Sequence, residues 1–196
     1  MVSTYAIILA AGESKRMGFP KMLLNFNGIT MLERVINNVK GAGIENVMVV
    51  LGAEAEKLKI IAEKCGVIYC INNNYTEGML SSVKCGIHNL PSSFRAVLVF
   101  PGDQPLIQPV SVNRILDAFE DSGKGIVIPV CRKKRGHPIL IDSKYRNEIL
   151  NLTDRGGLRT LVTLFPDDLL EVEVDDEGIL KDFDNFDDYI REINQS

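Results

Sequence analysis

A chain of 196 residues, 45% hydrophobic and 24% charged, lies in the ordinary globular range and is long enough to bury a sizeable core. Its formal charge of -4 supplies no global basic field, which argues against a duplex nucleic acid as partner. The cysteines, Cys65, Cys70, Cys85 and Cys131, follow neither a paired zinc-ligand spacing nor a dense disulfide framework, and read as reduced thiols.

The opening run MVSTYAIILAAGESKRMG is too short to span a bilayer and lacks the leader and cleavage site of a signal peptide, so a cytoplasmic protein with no membrane partner is expected. Apolar runs predict strands at Tyr5 to Leu9, Val47 to Leu51, Val67 to Ile71, Ala96 to Phe100, Gly125 to Val130, Pro138 to Ile141 and Leu169 to Val174. The first four are nearly continuous in hydrophobicity, as in strands covered on both faces. Helical spacing falls between the runs, at Met31 to Lys40, Glu54 to Lys64, Met79 to Asn89, Val110 to Asp121, Ser143 to Leu150, Leu158 to Phe165 and Phe186 to Ile193. Thr30 and Glu33 form a capping-box pattern before the first long helix, and Gly41 and Gly43 stand where it should stop. This alternation predicts an α/β protein with a three-layer α/β/α, Rossmann-like architecture and a mostly parallel central sheet. The C-terminal half is less regular, and an antiparallel addition is expected there. No linker or repeat divides residues 1–196, which read as one domain.

Straight after the first strand comes Leu9-Ala10-Ala11-Gly12-Glu13-Ser14-Lys15-Arg16-Met17-Gly18-Phe19-Pro20-Lys21. Ligands of open α/β sheets bind outside the carboxyl ends of the strands, so this loop stands where one would be held. Its small residues let backbone N–H groups approach an anion, and Arg16 and Lys21 add charge suited to a polyphosphate. A solvated glycine turn with stray cations has the same composition. The loop is neither a Walker loop nor the Gly-x-Gly-x-x-Gly of dinucleotide binders.

Further on, Asn74-Tyr75-Thr76-Glu77-Gly78-Met79-Leu80-Ser81-Ser82 opens a helix whose start can receive an anion or be capped by its own hydroxyls. The fourth strand ends in Pro101-Gly102-Asp103-Gln104-Pro105, which puts a carboxylate on the same sheet edge as the glycine loop. Such a hard oxygen ligand suits magnesium, and equally a turn aspartate bonded to its own backbone. Arg132 to Arg135 concentrate cations before Gly136-His137-Pro138, either to draw a phosphorylated acceptor or as a solvated hairpin tip. His88, in a helix without a partner pattern, reads as structural. The acidic segment Asp182 to Tyr189 reads alone as a solvated helix start.

These motifs together resemble the MobA-like nucleotidyltransferases, whose signature Leu-Ala-Ala-Gly-x-Ser-x-Arg-Met-Gly-x-x-Lys is matched from Leu9 to Lys21, and in particular the molybdenum cofactor cytidylyltransferase (MocA-like) branch. By that resemblance Leu9, Ala10, Ala11, Gly12 and Ser14 wrap the nucleotide, Arg16 and Lys21 neutralise its triphosphate, and Gly78 and Ser82 border the base. Asp103 and Asp184 become the ligands of Mg2+, while Gln104, Pro105, His137 and Arg159 face the acceptor. Arg16, Lys21 and Asp103 form the implied catalytic set. Asn185 and Phe186 depart from the family's Thr-Pro, and Asp154 to Arg159 match its Gly-Asp-x-Gly-Ala-Arg only in part.

The implied reaction is attack by an acceptor phosphate on the α-phosphorus of CTP with release of pyrophosphate. The acceptor is a molybdopterin-type phosphate, and a molybdoenzyme is the expected recipient of the product. Ala11, where the guanylyl branch has glycine, is expected to narrow the base pocket against a purine. No nucleophile motif suggests covalent catalysis. The competing readings are transfer to a sugar or polyol phosphate, and a non-catalytic molybdenum cofactor chaperone that would bind without turnover.

Overall fold

The computed structural model describes residues 3–15, 17–153, 156–183 and 185–193. In chain order the strands are β1 (Tyr5–Ala10), β2 (Asn25–Phe26), β3 (Ile29–Thr30), β4 (Val47–Leu51), β5 (Ile68–Ile71), β6 (Ala96–Pro101), β7 (Ile126–Cys131), β8 (Lys134–Arg135), β9 (Ile139–Asp142) and β10 (Leu169–Glu173). The helices are α1 (Met31–Gly41), α2 (Ala55–Lys64), α3 (Met79–Asn89), α4 (Pro109–Ser122), α5 (Arg146–Asn151), α6 (Leu158–Leu164) and α7 (Phe186–Ile193).

The main sheet runs β10-β7-β9-β6-β1-β4-β5, with β8 paired to β7. Its period-two side chains divide the core. From β1, Ala6, Ile8 and Ala10 join α1, α2 and α4 on one face, while Ile7 and Leu9 join α3, α5 and α6 on the other. This is the expected three-layer α/β/α, Rossmann-like architecture with a mixed, mostly parallel sheet. A third cluster, Met17, Phe26, Met31, Phe183 and Tyr189, lies beyond the sheet edge and packs the glycine loop against α7.

The capping box is partly realised, with the Thr30 hydroxyl accepting from the Glu33 N–H and Gly43 taking a left-handed φ of 80° just past α1. The antiparallel addition is β9, which opposes both β6 and β7, whereas β10 lies parallel to β7.

One expectation needs correction and one element was missed. β5 is not covered on both faces: it pairs only with β4, and Ile68 and Ile71 stand exposed at the sheet edge. An apolar run marks a strand without saying whether a neighbour covers it. The short β2–β3 hairpin went unread because it offers only two residues per strand, around Asn27 and Gly28, both at positive φ.

Candidate active site

Three strands of the parallel core deliver their carboxyl ends to one place. The Gly102 N–H after β6 donates to the Leu9 carbonyl at 3.0 Å, and the Ala53 N–H after β4 donates to the Ala11 carbonyl at 3.1 Å. Both approaches require glycine. A Cβ on Gly102 would lie 2.7 Å from the Leu9 oxygen, and one on Gly52 2.8 Å from the Ala11 methyl. Gly12 differs: it is exposed, its φ is not left-handed, and a Cβ there would meet nothing. Neither backbone strain nor internal packing therefore demands glycine at position 12, and what its bareness leaves clear is the outer face of the loop.

Ser14 organises the rest of that loop. At a φ of 53°, its carbonyl accepts from the Met17 N–H at 2.9 Å and its hydroxyl accepts from the Lys21 N–H at 3.2 Å, folding the segment back on itself. Lys21, at the start of a 3-10 turn, is thereby aimed across the sheet edge, where its ammonium donates to the Asp103 carboxylate in a half-buried ion pair. The two residues are far apart in sequence, and the sheet order that sets β1 beside β6 brings them together. Arg16, the other expected cation, lies outside the described residues, as does Asp184.

The chain around Asp184 is nonetheless anchored at the same place. The Phe183 N–H donates to the Asp103 carbonyl at 3.3 Å, and the Ile179 carbonyl accepts from the His137 N–H at 3.0 Å. The strap from Ile179 to Phe183 thus crosses both Asp103 and His137, and a Cβ on Gly136 would collide with the Ile179 carbonyl. Beyond it, the Asn185 side chain accepts from the Asp188 N–H at 2.9 Å, so asparagine caps α7 where the resembling pattern has threonine.

His137 is half-buried, and burial lowers its pKa below the usual 6.5. Asp103 and Asp182 pull the value back up and Arg159 pushes it down, so these four groups share one electrostatic neighbourhood. The net direction favours neutral imidazole at pH 7. Gln104 is buried beside Asp103 with its side-chain oxygen lacking a partner among the described residues, an acceptor held ready for a donor. Pro105 is buried, and its carbonyl accepts from Asn38 at 2.8 Å, which fixes the loop after Asp103 to α1.

Some expected residues sit less simply. Gly78 takes a φ of 107° that favours glycine, but Ser82 is buried and its hydroxyl accepts from Asn72 at 3.0 Å. Ala11 was expected to narrow the base pocket, but its methyl is buried against Gly52 and belongs to the core, where it sets how the loop seats. In the basic hairpin, Arg132 pairs with Glu177 and Arg135 with Glu171, so two of its cations are already answered by carboxylates. Sequence reading missed Gly52, Asn72 and Asp182. The first two were findable, since both directly follow a strand, the rule already applied to β1 and β6.

A hard cation fits this chemistry: Asp103 offers a carboxylate beside the glycine loop, and one or two carboxylates with substrate oxygens suffice for magnesium. Among the described residues, no group of three acidic, histidine or cysteine side chains forms a closed metal cage. None of the described helices is long and apolar enough to cross a membrane.

Comparison with known proteins agrees with this geometry. Residues 6–171 match the MobA-like NTP transferase domain. The bifunctional protein GlmU of Clostridium kluyveri is 38% identical over 125 residues, 63% of this chain and 27% of that protein, so the chain covers only about a quarter of that relative's length. Rv0371c of Mycobacterium tuberculosis H37Rv superposes with a TM-score of 0.85 at 23% identity, over 98% of each chain. Its manganese complex gives 0.80 at 23% identity, over 100% of this chain and 99% of that one. A nucleotidyl transferase from Methanothermobacter gives 0.83 at 23% identity, over 98% and 97%. Identities at that level speak for the fold, whereas the family match spans most of the sequence. The chain belongs to the MobA-like NTP transferase domain family.

Proposed function

We propose that this nucleotidyltransferase moves CMP from CTP to a phosphate monoester of the molybdopterin type and releases pyrophosphate. The observation that carries the reading is the Lys21–Asp103 pair at the mouth of a loop whose outer face is kept bare by Gly12. An ammonium and a carboxylate set side by side there are the two charges that a metal-bound triphosphate needs.

A phosphate monoester has a second pKa of about 6, so its oxygen is already anionic at neutral pH and needs no general base. That oxygen forms a bond to the α-phosphorus of CTP while the bond to the β-phosphate oxygen breaks. The protein's task is to bring two anions into line and neutralise the charge on the leaving pyrophosphate. Lys21 leaves its pairing with Asp103 for the phosphates, and Arg16 joins it. Asp103, with Asp184, would hold magnesium, which when bound supplies charge neutralisation across the triphosphate. A solved manganese complex of a structural neighbour accords with a divalent ion in this fold. Neutral His137 and Arg159, with the unpaired oxygen of Gln104, receive the acceptor.

CTP and the molybdopterin acceptor rest on the motif resemblance from Leu9 to Lys21 and at Gly136-His137-Pro138. The test is pyrophosphate release from each of the four nucleoside triphosphates with magnesium, against molybdopterin, sugar phosphate and polyol phosphate acceptors. The expected result is release with CTP and molybdopterin that falls by about 10²–10³-fold in Asp103→Ala, the scale of losing one transition-state electrostatic contact. Release that survives Asp103→Ala unchanged, or preference for another triphosphate or acceptor, contradicts the proposal.

A further inference from the structure

Two large aromatic side chains stand exposed, one on the glycine loop and one at the start of α7. Phe19, two residues before Lys21, is 58% exposed, and Phe186, two residues after Asp184, is 43% exposed. Their ring centroids lie 6.1 Å apart with the planes inclined at 44°, within the range of a favourable aromatic pair. Phe186 is held from its other side by Tyr189, at 5.6 Å. Tyr189 is itself buried, and its hydroxyl donates to the Asn25 carbonyl at 2.5 Å.

The fold does not need this pair for its core. The loop and α7 are already joined through the buried third cluster, where Met17 packs with Phe183 and Tyr189, and Phe183 meets Phe26 edge-on at 5.8 Å. What the exposed pair adds is a second point of attachment on the loop, which that cluster holds through Met17. A segment pinned at one residue can pivot about it, and one pinned at two cannot. On the loop side the pins are Met17 and Phe19, while on the C-terminal side Phe183 and Tyr189 already bracket Asp184 in the sequence and Phe186 adds a third. Asn185 already supplies the helix cap, which leaves position 186, where the resembling pattern has proline, free to carry a ring.

We infer that Phe19 and Phe186 are positioning residues: their contact fixes the spacing between the triphosphate loop and the N-terminal end of α7, the two segments that would have to be held together for a metal-bound nucleotide to be received. The inference rests on the reading under Proposed function. It makes the pair matter for metal-dependent nucleotide binding and little for folding.

The test is calorimetric titration of the four nucleoside triphosphates into the wild-type protein, Phe19→Ala, Phe186→Ala, the double variant and Phe186→Tyr, each with magnesium and with EDTA. With magnesium, each alanine variant loses roughly two- to tenfold in affinity, the range an aromatic pair is worth. The double variant loses no more than either single one, Phe186→Tyr restores the affinity, and in EDTA all five proteins bind alike. Unfolding midpoints of the alanine variants stay near wild type. Losses that add in the double variant, persist in EDTA, fail to recover in Phe186→Tyr or do not occur overturn the clip alone. Wild-type protein that binds none of the triphosphates overturns the nucleotide reading, and the clip with it.

Discussion

At the scale of single residues, the most informative group is His137, because its environment is built by parts of the chain that no local pattern links. Burial disfavours its imidazolium, and Arg159 adds to that effect, while Asp103 and Asp182 oppose it. Its folded pKa lies below the 6.5 of the unfolded chain, so on acidification the unfolded state takes up a proton first. The stability this group contributes is whole above pH 6.5 and is lost as pH falls from there through the folded pKa. Urea unfolding of the metal-free protein between pH 8 and about pH 5 should therefore show a decline that is shallower in His137→Asn. An identical slope in the variant would mean that other groups carry the acid sensitivity. Lys21 and Asp103 teach a related lesson. The motif made both candidates, but only the order of the sheet showed that they meet.

At the scale of elements, the site depends on loops being held rather than on strands being formed. Asp176 illustrates this. Its buried carboxylate accepts from the Gln108 N–H and the Ser111 hydroxyl at 2.8 Å, and from the Gly178 N–H at 2.9 Å, capping α4 from outside the helix and starting the strap to Phe183. Asp176→Ala would strand two buried donors and is expected to cost about 1–3 kcal/mol in chemical denaturation. A loss below about 0.5 kcal/mol would show that water replaces the carboxylate without penalty. Gly102→Ala acts at the same scale, since its methyl must displace the Leu9 carbonyl or the Met22 thioether, which lies 3.0 Å from the added carbon. It should destabilise the fold by an overpacking cost of about 1–3 kcal/mol in chemical denaturation, and an unchanged midpoint would mean that the Leu9 carbonyl and Met22 both give way at no cost.

The elements also show where sequence was and was not sufficient. Helices α1, α3 and α7 and strand β4 were legible to the residue or nearly so, because periodicity, a cap or a glycine stop marked the helices and a continuous apolar run marked the strand. β5 was legible as a strand and misread as covered, because coverage is a property of its neighbours. The antiparallel place of β9 was open for the same reason. Ser82 and Ala11 were legible as motif positions, yet Asn72 and Gly52, which surround them, bear no mark except their place after a strand.

At the scale of the whole molecule, a mixed, mostly parallel sheet with helices on both faces collects the ends of β1, β4 and β6 at one edge, and a C-terminal strap closes over that edge from the far side of the sequence. The first half of the candidate site was visible in one contiguous motif of thirteen residues, Leu9 to Lys21, because the residues of one loop are neighbours in sequence. The second half was not, because Asp103, His137, Asp182 and Arg159 meet only through the fold.

The most direct test of the account is a crystal structure of the protein with CTP and magnesium. The triphosphate should lie on the loop from Ala10 to Ser14, with Lys21 turned from Asp103 to the phosphates and Asp103 on the metal. A triphosphate bound elsewhere, with the Lys21–Asp103 pair still closed, would contradict it.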